Sequence, residues 1–170
     1  MRPDKMEYFL SIALNVARRS TCLRRNYGAV IVDKRGHIIS TGYNGQPHGV
    51  AHCQVCYRQE HHVPPGERYE LCRSIHAEMN ALLIPSMEAC EEGVMYLAGF
   101  DHTTGKEIMA RPCTMCWRII LNTPLEAISS WMRGDKPERM PLRRVRERCP
   151  DVIVEGVTLD FWERYDRSDG

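Results

Sequence analysis

Two short motifs in this sequence supply ligands for a zinc ion. The first is an H-x-E motif formed by His76 and Glu78, and the second is a P-C-x-x-C motif that contains Cys113 and Cys116. A catalytic zinc site keeps three protein ligands and leaves the fourth position for water, whereas a structural site uses four. His76, Cys113 and Cys116 supply three ligands of the kinds that zinc prefers. We therefore predict a catalytic zinc ion, with Glu78 as the carboxylate that moves protons.

The C-x-x-C pair has other interpretations when it is taken alone. It would also suit a redox pair, half of a zinc knuckle or two unrelated buried thiols, with His76 an ordinary histidine. The surrounding residues favour the metal. Pro112 suits the first turn of a helix, which would place the two cysteines one turn apart near the positive end of the helix dipole. Residues 77–83 predict a second helix that begins near His76, so two helix N-termini would converge on one cation.

Hydrophobic periodicity predicts an α/β domain. Apolar residues recur at helical spacing from Met6 to Ala17, behind Asp4 as a cap. Strands are predicted at four places, of which the first two form an antiparallel hairpin: 28–32, 37–41, 94–98 and 126–131. A helix with the paired cysteines runs to about Leu121. This alternation predicts a three-layer α/β/α sandwich with a mixed central sheet of about five strands.

Length and charge limit the classes of protein that are expected. A chain of 170 residues, 43% hydrophobic, suits one domain over residues 1–170, with a C-terminal extension from about residue 133. A net charge of +1 lacks the basic field of nucleic-acid binders, although a small anionic substrate needs only a local basic site. The sequence has neither a membrane-length apolar run nor a signal-peptide core. We expect a cytoplasmic protein without nucleic-acid or membrane partners, whose eight cysteines serve metals rather than disulfides.

The C-terminal segment predicts three small elements. The arginine-rich segment 139–148 has Leu142 and Val145 at helical spacing, which indicates a solvated amphipathic helix rather than an anion site. Residues 151–154 predict an edge strand, and residues 159–165 predict a short closing helix.

The segment 43–73 predicts a long loop that is rich in Gly, Pro, His and Cys. A loop of this length in a compact domain needs a reason, such as a bound metal. A tetrahedral zinc would tie it to its neighbours through Cys22, Cys53, Cys56 and Cys72. Alternative ligands for any of the four are His48, His52, His61 and His62. In the other interpretation the thiols are reduced and buried. We predict two zinc ions per chain, one catalytic and one structural.

The H-x-E and P-C-x-x-C motifs together are typical of zinc-dependent nucleobase deaminases. From its start to about Trp131, the chain resembles the deoxycytidylate (dCMP) deaminases of the cytidine deaminase superfamily. The resemblance rests on four segments: 28–32, 41–45, 72–81 and 112–116. Gly-Tyr-Asn-Gly, which ends at residue 45, is the most selective of these. The resemblance implies a cytidine deaminase-like fold and the hydrolysis of dCMP to dUMP with release of ammonia.

The resemblance also implies roles around the cytosine ring. Glu78 would take a proton from water, deliver it to N3, and later protonate the departing ammonia. The backbone N–H of Ala77 would help to hold the base. Asn44 corresponds to an asparagine that reaches the nucleotide, although Tyr-Asn-Gly also suits a β-turn.

Phosphate binding and base stacking need a cation and a ring. Arg24 and Arg25 stand where the resembled family has a basic residue, and the alternative is that both are surface charges. Trp131 is the candidate for stacking on the base, and the alternative for this side chain is core packing. The chain departs from the family pattern at Tyr27, where valine is usual, and at residues 122–125, where Pro124 prevents a glycine C-cap.

Partners and regulators are implied by the resemblance alone. Many members form hexamers that dCTP activates and dTTP inhibits, so a homo-oligomer is expected, with Mg²⁺ accompanying an allosteric nucleotide. Rival functions are deamination of tRNA adenosine, cytidine or guanine, since those enzymes share both motifs. A non-catalytic zinc scaffold, such as a DNA-uptake or regulatory protein, is a further alternative. Glu78 discriminates against it, because a scaffold has no need of that carboxylate.

Overall fold

A mixed five-stranded sheet forms the centre of the protein. The computed structural model describes residues 1–133 and 136–148. The strands are β1 (Arg25–Val32), β2 (Ile38–Tyr43), β3 (Val94–Asp101), β4 (Ala127–Arg133) and β5 (Lys136–Pro141). Their order is β2-β1-β3-β4-β5, and only the β3–β4 pair is parallel. The predicted α/β fold with a mixed sheet is therefore confirmed.

Helices cover both faces of this sheet. They are α1 (Lys5–Ala17), α2 (Tyr57–Glu60), α3 (Ala77–Leu82), α4 (Thr114–Leu121) and α5 (Leu142–Arg148). Helix α1 packs on one face, and its predicted cap is present, since Asp4 accepts a hydrogen bond from the backbone N–H of Glu7 at 2.8 Å. Helices α3, α4 and α5 pack on the other face. Within the described residues, no helix is long and apolar enough to cross a membrane.

The sheet separates two hydrophobic cores. Strand β1 is buried on both faces, because Val30 and Val32 face α1 whereas Ala29 and Ile31 face α3 and α4. This explains why its sequence is a continuous apolar run rather than an alternating one. The larger core, on the α3 and α4 side, also contains Cys116, Trp117, Ile120, Met95, Leu97 and Ile128.

Two glycines let helices approach the sheet closely. A Cβ atom on Gly28 would lie 2.1 Å from the carbonyl oxygen of Ala13 in α1, and one on Gly42 would lie 2.3 Å from the backbone nitrogen of Ala81 in α3. The hydroxyl of Ser40 donates to the Ala81 carbonyl at 2.6 Å, and the Asn80 amide donates to the Tyr43 carbonyl at 2.8 Å. Helix α3 is therefore fixed against β2 by both packing and hydrogen bonds.

The C-terminal segment differs from its prediction. Residues 139–141 belong to strand β5, and the helix begins only at Leu142. Strand β5 follows β4 directly as an antiparallel partner, with Met140 opposite Ile128. Met140, Leu142 and Val145 are buried in the larger core, so this part of the predicted extension belongs to the domain. The elements predicted at 151–154 and 159–165 lie outside the described residues.

The long loop is more structured than its sequence indicates. It contains α2 and a 3₁₀ turn at Tyr69–Leu71. Its base is closed by two backbone hydrogen bonds between Gly45 and Ile75, of 3.1 and 2.8 Å. The guanidinium of Arg24 donates to the carbonyl of Val63 at 3.2 Å, which ties the loop to the start of β1. Backbone and arginine contacts therefore order this segment.

The contact between Gly42 and α3 gives a stability prediction. We expect Gly42→Ala to lower the free energy of unfolding by ~1–3 kcal/mol, because the added methyl overlaps the α3 backbone and the helix must move away. Urea unfolding of the variant and the original protein measures this. Gly49→Asn is the control, since Gly49 has a φ of +78° and nothing lies within 4 Å of its Cβ position. Equal stability of Gly42→Ala and the original protein would show that α3 is not held this closely.

Candidate metal centre and active site

Three ligand atoms converge where α3 and α4 begin. The Nδ1 atom of His76 lies 3.3 Å from the sulfur of Cys116 and 3.4 Å from the sulfur of Cys113. His76 is the N-cap residue of α3 and Cys113 that of α4, and neither side chain makes a capping hydrogen bond. Both side chains are therefore free to point at a shared centre. Pro112 precedes the N-cap of α4, so it lies just outside the first turn in which the sequence had placed it.

This cluster fits zinc. Zn–S bonds of ~2.3 Å and Zn–N bonds of ~2.0 Å in a tetrahedron place sulfur and nitrogen ligands about 3.5 Å apart. The observed separations of 3.3 and 3.4 Å agree with that geometry. In the described part of the chain, this is the one group of three His, Cys, Asp or Glu side chains whose ligand atoms all lie within 4.8 Å of one another.

The electrostatics of the cluster favour a thiolate. A hydrogen bond from the thiol of Cys116 lowers the pKa of Cys113 to about 4, and His76 adds to this effect. The same hydrogen bond raises the pKa of Cys116, so the two sulfurs share one proton. Metal binding requires deprotonated cysteine, so the lowered pKa of Cys113 favours it.

Glu78 lies beside these ligands and is 5% exposed. Burial raises the pKa of its carboxyl, and the positive charge of His76 opposes that rise. Its carboxyl interacts with the side chain of Cys116. A buried acid next to a candidate metal site, with no lysine or arginine ion pair in the described chain, is typical of functional sites.

A cavity that opens to solvent adjoins the metal ligands. The predicted residues Arg24, Arg25, Asn44, Ala77 and Glu78 all line it. The wall also contains Tyr27, the position at which the sequence departs from the family pattern. The sequence did not place Arg58, Tyr69 and Arg111 in the wall. Of these three, only Arg111 carried a signal, since it directly precedes the P-C-x-x-C motif.

Asn44 is buried and held by three hydrogen bonds of its side-chain amide. Its Oδ1 atom accepts from the backbone N–H of Tyr27 at 2.8 Å and from the hydroxyl of Ser20 at 2.7 Å. Its Nδ2 atom donates to the carbonyl of Arg25 at 2.8 Å. The amide therefore joins β1 to the segment after α1, and its second N–H remains for a ligand in the cavity.

The structure does not bring Trp131 into this cavity. Trp131 packs against the core under α1, on the opposite face of the sheet from the metal ligands. Its neighbours Ile128 and Met132 face the metal side instead. The prediction that Trp131 stacks on the base is therefore wrong, and core packing explains this residue. The ring of Tyr69 does contact a metal ligand, with its centroid 4.9 Å from that of His76.

The four cysteines of the predicted second zinc site lie around the long loop, and all are half-buried. Burial raises the pKa of Cys22, and the charges of Cys72 and Cys56 add to the rise, so these three are neighbours. No three of the four sulfurs lie within 4.8 Å of one another. Cys53 accepts a hydrogen bond from Gln46 at 3.0 Å. The alternative ligands His48, His52, His61 and His62 are all exposed.

Comparison with known proteins identifies the family. The family described as "Cytidine and deoxycytidylate deaminase zinc-binding region" matches residues 3–131. The deoxycytidylate deaminase of Mycobacterium phage D29 is 36% identical over 132 residues, which are 75% of this chain and 94% of that protein. ComE operon protein 2 of Bacillus subtilis is 35% identical over 159 residues, 91% of this chain and 71% of that protein.

A solved structure supports the same fold. The crystal structure of dCMP deaminase from the cyanophage S-TIM5, in complex with dCMP and dUMP, aligns with a TM-score of 0.54 and 23% identity. The alignment covers 75% of this chain and 81% of that one. Together with the match over residues 3–131, which contains every ligand of the metal cluster, this shows that the chain belongs to the cytidine and deoxycytidylate deaminase family.

Proposed function

We propose that this chain hydrolyses dCMP to dUMP and ammonia with one catalytic zinc ion. The observation that carries this proposal is the buried Glu78 beside the convergent ligands His76, Cys113 and Cys116. The similarity to a phage deoxycytidylate deaminase over 94% of its length supports dCMP as the substrate. A nucleotide substrate also fits the expected cytoplasmic location. A non-catalytic scaffold is disfavoured, because it would have no use for a buried carboxylate at this place.

The proton transfers follow from the position of Glu78. A zinc ion held by His76, Cys113 and Cys116 would act as a Lewis acid and lower the pKa of bound water from about 15.7 to ~7. Glu78 takes a proton from the water that attacks C4 of cytosine and delivers it to N3. The C4–O bond forms in this step, and N3 accepts the electron pair of the C4–N3 double bond. Glu78 then moves the proton of the new hydroxyl group to the exocyclic amino nitrogen. The bond between C4 and this nitrogen breaks, the C4 carbonyl forms, and ammonia leaves.

The substrate contacts in the proposal come from the cavity wall. The backbone N–H of Ala77 helps to hold the base, and the free N–H of Asn44 donates to the nucleotide. Arg24 and Arg25 line the cavity and are half-buried, which suits the binding of a phosphate group. The arginines in this wall provide a local basic site although the net charge of the chain is only +1.

We retain the second, structural zinc as a proposal. Three of the four cysteines lie within the long loop, and Cys22 lies just before β1. Cys22, Cys56 and Cys72 are close enough to interact electrostatically. Binding would require the sulfurs to close in on the metal. We also propose a homo-oligomer, a hexamer by analogy with the resembled family. In that proposal dCTP, accompanied by Mg²⁺, activates the enzyme and dTTP inhibits it.

The role of Glu78 is tested by Glu78→Gln. We expect turnover of dCMP to fall by ~10²–10⁴-fold or more, because the amide cannot accept the proton, while bound zinc and the melting temperature stay unchanged. Ultraviolet absorbance follows the reaction, and elemental analysis follows the metal. Glu88→Gln, in an exposed turn after α3, is the control that should keep full activity. Full turnover in Glu78→Gln would refute the assignment.

The substrate is tested by comparing dCMP, CMP, deoxycytidine and dCTP under the same conditions. We expect the highest kcat/KM for dCMP, because the arginines of the cavity attract a phosphate and the pocket holds one base. Repeating the assay with added dCTP and dTTP tests regulation. Equal kcat/KM for dCMP and deoxycytidine would remove the claim of monophosphate specificity.

The number of metal ions is tested by elemental analysis of the purified protein. We expect two zinc ions per chain, one of which disappears in Cys53→Ser while deamination persists. Cys113→Ser should lose the other ion together with activity, because two protein ligands hold zinc too weakly. A single zinc in the original protein would exclude the structural site and leave the catalytic one untouched.

A further inference from the structure

Arg58 is a buried cation in the wall of the active-site cavity. It lies on α2 within the long loop, and only 7% of it is exposed. It makes no ion pair among the residues that the structure describes. Arginine is rarely buried without an anionic partner, because the charge loses its hydration. The other arginines of this cavity, Arg24, Arg25 and Arg111, are only half-buried.

The hydrogen bonds of Arg58 leave most of its donors unused. Its Nη2 atom donates to the carbonyl oxygens of Pro64 at 3.2 Å and Glu67 at 2.5 Å. Its Nε atom is buried and has no partner, and its Nη1 atom makes no hydrogen bond within the described residues. Of the five N–H donors of a guanidinium, three are therefore left without an acceptor. Two carbonyl groups fix the side chain in place without neutralising it.

Tyr69 holds the guanidinium at the metal side of the cavity. The Cζ atom of Arg58 lies 4.5 Å from the centre of the Tyr69 ring, which allows a cation–π contact. The same ring meets the His76 ring edge-on, at a centroid distance of 4.9 Å and an angle of 74°. Tyr69 thus contacts both Arg58 and His76, and a nucleotide whose base reacts at the metal would extend its other groups along this wall.

We propose that Arg58 binds the phosphate group of the substrate and so makes the enzyme specific for a monophosphate. A phosphate dianion supplies both the counter-charge and the acceptors that Arg58 lacks, and a guanidinium matches its geometry. This assignment rests on the proposed deamination of dCMP. It places the main phosphate contact on the long loop, with Arg24 and Arg25 as additional cations at the start of β1.

Arg58 could also act only as a clamp of the loop, and product binding separates the two roles. We expect Arg58→Gln to weaken binding of dUMP to the zinc-loaded protein by ~10–100-fold, as for the loss of a charged hydrogen bond, and to change binding of deoxyuridine by less than twofold. Isothermal titration calorimetry measures both. Arg58→Lys keeps the charge but not the forked geometry of the guanidinium. Its affinity for dUMP should lie between those of Arg58→Gln and the original protein. Arg73→Gln, at an exposed position outside the cavity, is the matched control and should bind both ligands normally.

The outcomes are distinguishable. If both ligands weaken by the same factor, Arg58 only shapes the pocket and the assignment is wrong. If dUMP binding is unchanged, phosphate is bound elsewhere and the assignment is also wrong. If Arg58→Gln does not fold, Arg58→Lys decides between the same results. Failure of the original protein to deaminate dCMP would instead refute the proposed function itself, independently of Arg58.

Discussion

The structure depends on two helix starts being held against the same face of one sheet. The His76 nitrogen and the sulfurs of Cys113 and Cys116 belong to segments far apart in sequence. The nitrogen lies within 3.4 Å of both sulfurs only because α3 and α4 pack side by side. Helix α3 has six residues and would not persist alone, since isolated helices of this length are unstable in water. The absence of a side chain at Gly42 and the hydrogen bond from Ser40 supply what its own length does not.

The N-cap position at the start of each helix sets the direction of a ligand side chain. An N-cap residue has extended backbone angles, and its side chain normally turns back to accept a hydrogen bond from the helix. His76 and Cys113 occupy that position without making such a bond, so their side chains leave the helix instead of closing it. The low pKa of Cys113 has a different main cause, the hydrogen bond from the thiol of Cys116, to which His76 adds. Metal ligation and thiolate formation therefore both depend on α3 and α4 bringing these three side chains together.

The sequence predicted the metal cluster and most of the sheet, and it failed where no local pattern exists. The ligands of the cluster follow from short spacings, and β1 follows from a continuous apolar run. The prediction for Trp131 was wrong because alternate residues of β4 face opposite sides of the sheet. Ile128 faces the metal side, so Trp131, three positions later, faces α1. Arg58 and Tyr69 could not be found, because they lie in a loop without periodicity whose path is fixed by backbone contacts. Strand β5 was missed because its Arg139 begins an arginine-rich segment whose pattern resembles that of a solvated helix.

Asn44 has a structural role that neither interpretation of the sequence included. Its carbonyl oxygen accepts two hydrogen bonds and its amino group donates one, so the amide is locked between β1 and the segment after α1. A side chain in this state has lost its rotamer freedom on folding, and a ligand that binds it incurs little further entropy cost. The three bonds that join these segments therefore also fix the direction of the remaining N–H, which the proposed function assigns to the nucleotide. Arg58 repeats this arrangement with two carbonyl acceptors, which suggests that the cavity wall is ordered before substrate arrives.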